Sequence, residues 1–290
     1  MKTRSFLLIV LSGILWGTSG VFFNLMTPKG FAPLQMTFIR ASVSALMLSL
    51  GLFIFNKKTF KIPLKQIPVY MLSGAFMFLA AACYYSAIEA SSVSTAVILM
   101  YTAPIFVMTY SVLFLGERLT GLKLLSVAMM LAGCALVSGI IGGMKFSFWG
   151  VFLGIMAGVC YAGYNVVAKI STMKGISPVS TSLYSFIFMA VTSFFFGDPA
   201  GIVSLASADP LSNIPLMLGL GLFTCVIPYS IYTVSLKDIP VGTASSLGMI
   251  EPLSATVYSV VFFSEKLSVP LVIGMVLIIS AVFILNKNID

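Results

Sequence analysis

The chain has 290 residues, of which 59% are hydrophobic and 8% are charged, and its net charge is +8. A soluble domain carries about a quarter charged residues, so this composition excludes a water-facing surface and indicates that the solvent is lipid. The chain has four cysteines but no histidine, which leaves no base for a serine-type intramembrane protease and no ligands for a zinc site of the His-Glu-x-x-His type. We therefore expect no enzyme, no metal site and no cofactor.

Ten apolar segments follow one another along the chain, each long enough for a helix to cross roughly 30 Å of hydrocarbon. They cover residues 5–28, 33–55, 66–88, 90–116, 124–144, 146–168, 175–197, 210–236, 240–263 and 267–286. The second contains one charge, Arg40, and the ninth contains one, Glu251. The first segment follows Lys2 and Arg4 as the apolar part of a signal peptide would, but its likeness to the sixth predicts that it is retained.

The two halves of the chain repeat one another at matching positions. With a shift of 148 positions, five identical pairs recur: Tyr84 and Tyr232, Thr95 and Thr243, Pro104 and Pro252, Glu117 and Glu265, and Leu119 and Leu267. Farther upstream the shift is 145, which aligns Gly13 with Gly158 and Trp16 with Tyr161. We interpret residues 1–143 and 144–290 as two copies of one five-span unit, a ground plan typical of secondary transporters.

The distribution of positive charge predicts how the copies are oriented. With the N-terminus inside, twelve Lys and Arg residues fall inside and three outside, as the positive-inside rule requires. The basic excess is therefore a topology signal and not a sign of nucleic-acid binding. Because each copy has an odd number of spans, the copies are inverted relative to one another. The sequence thus predicts an all-α membrane protein with ten transmembrane helices, arranged as two inverted five-helix repeats around a central cavity, with both termini cytoplasmic.

Stripes of small residues predict where two of the spans pack closely. Gly13 and Gly17 lie four apart in the first span, and Gly150, Gly154 and Gly158 continue this spacing in the sixth. Small residues at this spacing let helix backbones approach one another. We expect both spans to pack tightly in the centre of the bundle.

Pro104 and Pro252 lie mid-span at matching positions of the two copies. Proline removes one backbone hydrogen bond and kinks or breaks its helix. Paired interruptions of this kind point to a binding site near the middle of the membrane. The alternative is that the kinks only shape the bundle.

Glu251 directly precedes Pro252 in the ninth span. A carboxylate at that depth must face a cavity, pair with a cation or be protonated. We take Glu251 as the group that binds a substrate cation or a coupling proton, and Tyr101 as its counterpart in the first copy. A buried structural hydrogen bond is the alternative role for Glu251. Arg40 lies roughly 10 Å inside the outer surface, where it either has a structural role, which we favour, or binds substrate.

Aromatic and amide side chains are candidates to complete the pocket. Tyr161 and Asn165 are four apart and share one helix face, and Trp16 is the repeat equivalent of Tyr161. Tyr84 and Tyr232 are equivalents as well. Symmetry-related aromatic residues on interior spans would form a box around an apolar or cationic organic molecule. An aromatic belt at the membrane interface is the alternative.

Several short motifs resemble those of the EamA family, which belongs to the drug/metabolite transporter superfamily. They are Phe38-Ile-Arg40-Ala, Ala103-Pro104 with Leu115-Gly116-Glu117-Arg118-Leu119, and Ile250-Glu251-Pro252-Leu253 with Ser264-Glu265-Lys266-Leu267. The resemblance covers the whole chain and implies a ten-helix basket with a central cavity, usually an exporter of amino acids or other small metabolites. One departure is Ser264 where the first copy has Gly116. Another is the lack of the basic pair found in sugar-phosphate exchangers, which argues against phosphate substrates.

The sequence as a whole predicts a secondary transporter in the cell's inner membrane that works by alternating access. We expect export of amino acids or other small organic metabolites or cations, with proton coupling through Glu251 as a hypothesis. A flippase for a lipid substrate and a non-transporting membrane scaffold are the alternatives. The expected partners are a small-molecule substrate and membrane lipid, and two fused copies suffice for a monomer to work alone.

Overall fold

The computed structural model describes residues 2–55, 60, 62–139, 147–264 and 267–286, and within these ranges its regular structure is entirely helical. The α-helices are α1 (Lys2–Trp16), α2 (Thr18–Met26), α3 (Pro33–Phe55), α4 (Ile67–Ala90), α5 (Val93–Met100), α6 (Ala103–Phe114), α7 (Gly121–Val137), α8 (Phe148–Met173), α9 (Pro178–Phe194), α10 (Pro199–Ala208), α11 (Pro210–Gly221), α12 (Ile227–Ser235), α13 (Val241–Leu247), α14 (Glu251–Phe263) and α15 (Val269–Asn286). The predicted boundary between the copies, at 143/144, and the motif residues Glu265 and Lys266 lie outside the described residues.

Eight helical segments of the described chain are long and apolar enough to cross a membrane. A ninth is obtained if α9 and α10, which are bent by 97° at the break between them, count as one span. The helix α7 is apolar but shorter, with 17 residues. The chain is therefore a multi-pass helical membrane protein, while the count of ten spans stays a prediction because α7 and α9 are too short by themselves.

The short helix α10 has no counterpart among the ten predicted segments. The side chain of Asp198 accepts a hydrogen bond from the Gly201 amide at 3.1 Å, and Pro199 is the first helical residue. An aspartate cap followed by proline is a strong helix start. At ten residues α10 is only about 15 Å long, so it cannot cross the membrane alone.

Two spans break where the sequence predicts kinks. The fourth predicted segment is divided at Tyr101–Thr102 into α5 and α6, and Pro104 is the second residue of α6. The ninth is divided by a 3₁₀ turn, Gly248–Ile250, and Pro252 is the second residue of α14. Proline is well tolerated in a first turn, where its missing N–H would have no partner anyway.

The glycine stripes pack against these broken helices and do not pack the first span against the sixth. A Cβ added at Gly17 would lie 2.7 Å from the Ala255 amide nitrogen of α14. A Cβ added at Gly154 of α8 would lie 2.8 Å from Leu99 of α5. The expected close packing is present, but each stripe packs against a broken helix of the other copy. Glycine has no side chain, so the backbone of that helix can approach closely.

Candidate functional site

A cavity of about 640 Å³ lies among the broken helices. Six of the residues proposed from the sequence line it: Trp16, Arg40, Tyr84, Tyr101, Tyr161 and Glu251. They come from α1, α3, α4, α8, α14 and the break after α5, so the cavity exists only once spans from both halves of the chain have packed together. Its size falls in the range of small-molecule sites, which is about 300–1,000 Å³.

The cavity extends to one end of the bundle, which we call the open end, where Thr27, Pro28, Ile88 and Val93 line it. A second chamber of about 350 Å³ adjoins it. Glu251 lines both chambers, together with Tyr84 and Tyr101. The carboxylate therefore lies in the wall that the two chambers share.

Glu251 owes its position to the break in its span. The helix α13 ends at Leu247, a 3₁₀ turn follows, and Glu251 is the first residue of α14. The Gly248 carbonyl, which Pro252 cannot bond, accepts a hydrogen bond from the Glu251 amide instead. Glu251 thus begins a new helix at the break, and its side chain lines the cavity.

The polar groups around Glu251 leave much of its binding capacity free. The Tyr101 side chain lies within hydrogen-bonding reach of the carboxylate. Among the described residues, Lys29 and Asp209 form an ion pair at 3.2 Å, but Glu251 and Arg40 do not pair with one another. Glu251 and Arg40 therefore face one cavity as opposite charges that do not neutralise one another by direct contact.

Tyr101 contacts Glu251 in the folded protein but is not its equivalent in the sequence repeat. The shift of 148 that pairs Pro104 with Pro252 pairs Glu251 with Ala103, so the assignment of Tyr101 as its sequence counterpart is wrong. Tyr101 is brought to the carboxylate because it occupies the break between α5 and α6, which faces α14 across the cavity.

Two buried N–H groups at the cavity have no hydrogen-bond partner among the described residues. They are Nε1 of Trp16 and Nε of Arg40. Buried donors are nearly always satisfied in proteins, so an orphaned donor at a cavity wall needs an explanation such as a water or a ligand. Both residues line the cavity, but these two nitrogens are themselves buried, so a bound molecule reaches them only if the side chains shift.

Aromatic rings form one wall of the cavity. The Trp16 ring lies 5.1 Å from the ring of Tyr229 and 5.3 Å from that of Tyr232, measured between centroids. Tyr229 also lines the cavity, as do Tyr85 and Thr224. The sequence analysis missed these three. The repeat gave no signal for Tyr229, because the shift of 148 pairs it with Ala81 and not with another aromatic residue.

Asn165 and Tyr232 are not among the residues that line the cavity. Both are fully buried, and the Tyr232 hydroxyl donates a hydrogen bond to Oδ1 of Asn165. Nδ2 of Asn165 donates to the Tyr161 carbonyl at 2.8 Å. The first of these bonds connects α12 to α8, and the second lies within α8. The Tyr232 ring packs against Trp16. The two residues therefore support the aromatic wall and are not positioned to contact a ligand in this cavity.

The sequence model of the EamA-like transporter family matches the chain twice, at residues 3–139 and 148–287. A protein of Archaeoglobus fulgidus described as an uncharacterized transporter is 29% identical over 280 residues, which cover 95% of this chain and 94% of that protein. One of Clostridium kluyveri with the same description is 25% identical over 292 residues, covering 95% and 91%.

A shorter match and a solved structure extend these similarities. The pseudopaline exporter CntI of Pseudomonas aeruginosa is 24% identical over 135 residues, 47% of this chain and 46% of its own. A protein of known crystal structure superposes with a TM-score of 0.83 over 100% of this chain and 98% of its own, at 19% sequence identity, which shows a shared fold.

Proposed function

The chain belongs to the EamA-like transporter family, and we propose that it is a secondary transporter that carries a small organic zwitterion or cation by alternating access. The observation that carries this proposal is the cavity with aromatic walls in which a carboxylate, Glu251, and a guanidinium, Arg40, face the same space. No enzymatic step is part of the proposal. Its relatives over the full length are described as transporters.

The proposed architecture is two inverted repeats of five helices each. The helix contacts support it, because they occur in pairs related by the sequence repeat. The helix α4 packs along α8, and its repeat equivalent is the packing of α12 along α1. The contact of α7 with α15 joins the last spans of the two copies, and that of α3 with α9 joins the second spans. Such pairing is expected when two copies of one unit are related by a two-fold axis.

The charges of the site favour a molecule that carries a positive group. A carboxylate in a membrane protein that lacks a direct cation partner is best stabilised by a bound cation or a proton. The rings of Trp16, Tyr161 and Tyr229 add surfaces that attract organic cations and aromatic groups. The Arg40 guanidinium would bind a carboxylate at the other end of a zwitterion.

We further propose inner-membrane location, cytoplasmic termini and outward transport, with protons competing for Glu251. The excess of Lys and Arg in the loops predicted to be inside supports the orientation. The relative named as a pseudopaline exporter supports the direction. A monomer is sufficient for this mechanism, because both halves of the cavity come from one chain.

The first test is thermal stabilisation of the purified protein by a panel of amino acids, aromatic metabolites and organic cations. A ligand at 100 times its dissociation constant stabilises the folded state by about 2.7 kcal/mol. We expect stabilisation by zwitterions or cations that Glu251→Gln abolishes and that Glu89→Gln preserves. Glu89 is a suitable control because it is an exposed glutamate that does not line the cavity.

Each other outcome changes a different part of the proposal. Stabilisation that survives Glu251→Gln would keep the transporter and remove Glu251 from the binding site. Stabilisation by anionic metabolites alone would contradict the assigned charge preference. If only lipids stabilise the protein, the flippase alternative replaces transport of a soluble metabolite.

A further inference from the structure

The end of the bundle opposite the open end is closed by the buried turn between α12 and α13, residues 236–240, together with the first residues of α13. We call this the closed end. Leu236, Ile239 and Val241 are fully buried there. Although this turn connects two helices of the second copy, the side chains that bind its backbone come from elsewhere in the chain.

Glu117, which follows α6, binds the beginning of α13. Its Oε1 accepts a hydrogen bond from the Val241 amide at 2.9 Å, and its Oε2 accepts one from the Gly242 amide at 3.4 Å. The residue before α13 is Pro240, which provides no side-chain cap of its own. Glu117 therefore supplies from another span the cap that this helix lacks.

Lys169, near the end of α8, binds the other side of the same turn. Its Nζ donates to the Leu236 carbonyl at 2.7 Å and to the Ile239 carbonyl at 3.2 Å. An ammonium at a helix C-terminus and a carboxylate at a helix N-terminus both complement the helix dipole. Ser5 of α1 completes the closure by donating to Oδ2 of Asp238 at 2.6 Å.

The repeat equivalents of Val241 and Lys169 lie at the open end. The shift of 148 pairs Val241 with Val93, and the shift of 145 pairs Lys169 with Asn24. Val93 is 57% exposed, whereas Val241 is 0% exposed. Asn24 donates to Gly20 of its own helix and lines the cavity. The equivalent of Glu117, Glu265, lies outside the described residues.

We propose that Glu117 and Lys169 form a latch that holds the closed end shut while the open end admits substrate, and that the transport cycle requires its release. This inference rests on the proposed alternating access. Two charged side chains on opposite sides of one turn can be released together, because each binds backbone groups and neither is covalently tied to the segment it holds. Once released, Val241 takes the exposed position that Val93 has in this structure.

The test uses a matched pair of single-cysteine proteins, Val93→Cys and Val241→Cys, in which the four native cysteines are replaced by alanine. A hydrophilic maleimide is added in detergent solution without substrate, and the labelling rate of each protein is measured. We expect rapid labelling at 93 and protection at 241. Adding Glu117→Gln should speed labelling at 241 by about tenfold and slow it at 93 by a smaller factor, because the shift is drawn from the more populated state. The amide oxygen of Gln can replace only one of the two charge-assisted acceptors, since its nitrogen does not accept.

The opposite changes at the two positions distinguish a latch from a residue that only stabilises the fold. A loosened protein would label faster at both positions, and that result would overturn the proposal, as would unchanged rates. Lys169→Met should act in the same direction as Glu117→Gln, and Glu89→Gln should change neither rate. Melting temperatures of all variants confirm that they are folded.

This experiment separates the latch from the proposed function, because it uses no substrate. Reciprocal labelling combined with no ligand in the thermal panel would leave the latch standing and refute the proposed substrate class. Ligand binding combined with labelling rates that Glu117→Gln does not change would support the proposed substrate class and refute the latch.

Discussion

Substitution of two glycines in the first span offers a sharp test of how this span packs against α14. A Cβ at Gly17 would lie 2.7 Å from the Ala255 amide nitrogen and 2.8 Å from Oγ of Ser254. The nearest atom to a Cβ at Gly20 is the Ala255 Cβ, at 4.0 Å. The first contact needs a backbone shift, and the second is an ordinary van der Waals contact.

The expected magnitudes follow from these contacts. Overpacking costs about 1–3 kcal/mol, and replacing glycine by alanine in a helix returns about 0.5–1 kcal/mol. Gly17 has φ −58° and ψ −22°, so alanine is not strained there by its backbone. We expect Gly17→Ala to lower stability by about 1–2 kcal/mol and Gly20→Ala to raise it by about 0.5 kcal/mol.

Thermal unfolding of both variants in the same detergent provides the assay. A change of 1 kcal/mol moves the midpoint of a protein of this size by about 2–4 °C, so Gly17→Ala should melt several degrees below Gly20→Ala. Equal melting temperatures, or a lower one for Gly20→Ala, would refute the packing of α14 against the first span.

Further predictions concern single side chains of the site and of one loop. Trp16→Phe keeps an aromatic ring but shortens the aromatic wall and leaves a gap beside Tyr229 and Tyr232, so ligand affinity should fall about 5-fold to 30-fold in a titration and the melting temperature should fall as well. Tyr232→Phe leaves Oδ1 of Asn165 without its donor and should lower the melting temperature by several degrees with little change in affinity; a large loss of affinity would place Tyr232 in the site. Ser264 has a φ of 56°, so Ser264→Gly should raise the free energy of unfolding by about 1 kcal/mol, measured as a higher melting temperature. Transport by Glu251→Gln should lose its pH dependence, and a wild-type pH profile would exclude proton coupling through this residue.

The candidate site was only partly accessible from the sequence. Glu251 and Trp16 stand out because a charge in an apolar span and a repeated aromatic position are visible in one dimension. Arg40 stands out as a charge as well, whereas Tyr229 needed the structure, because the face a helix turns to the cavity depends on neighbours far away in the chain. Tyr232 binds Asn165 and does not line the cavity. Its repeat equivalent, Tyr84, does line it.

The sequence by itself determined the lipid environment, the duplication, the family and the places where two spans break. The lipid environment follows from composition, the duplication and the family follow from repeated motifs, and the breaks follow from the covalent properties of proline, which act locally. Only the tertiary structure decided which side chains share the cavity and which end of it is closed. The two copies share Glu117 with Glu265 and Val93 with Val241, so these repeated positions alone do not say which end is closed. The difference lies in which contacts between distant spans are made, as the buried Val241 and the exposed Val93 show.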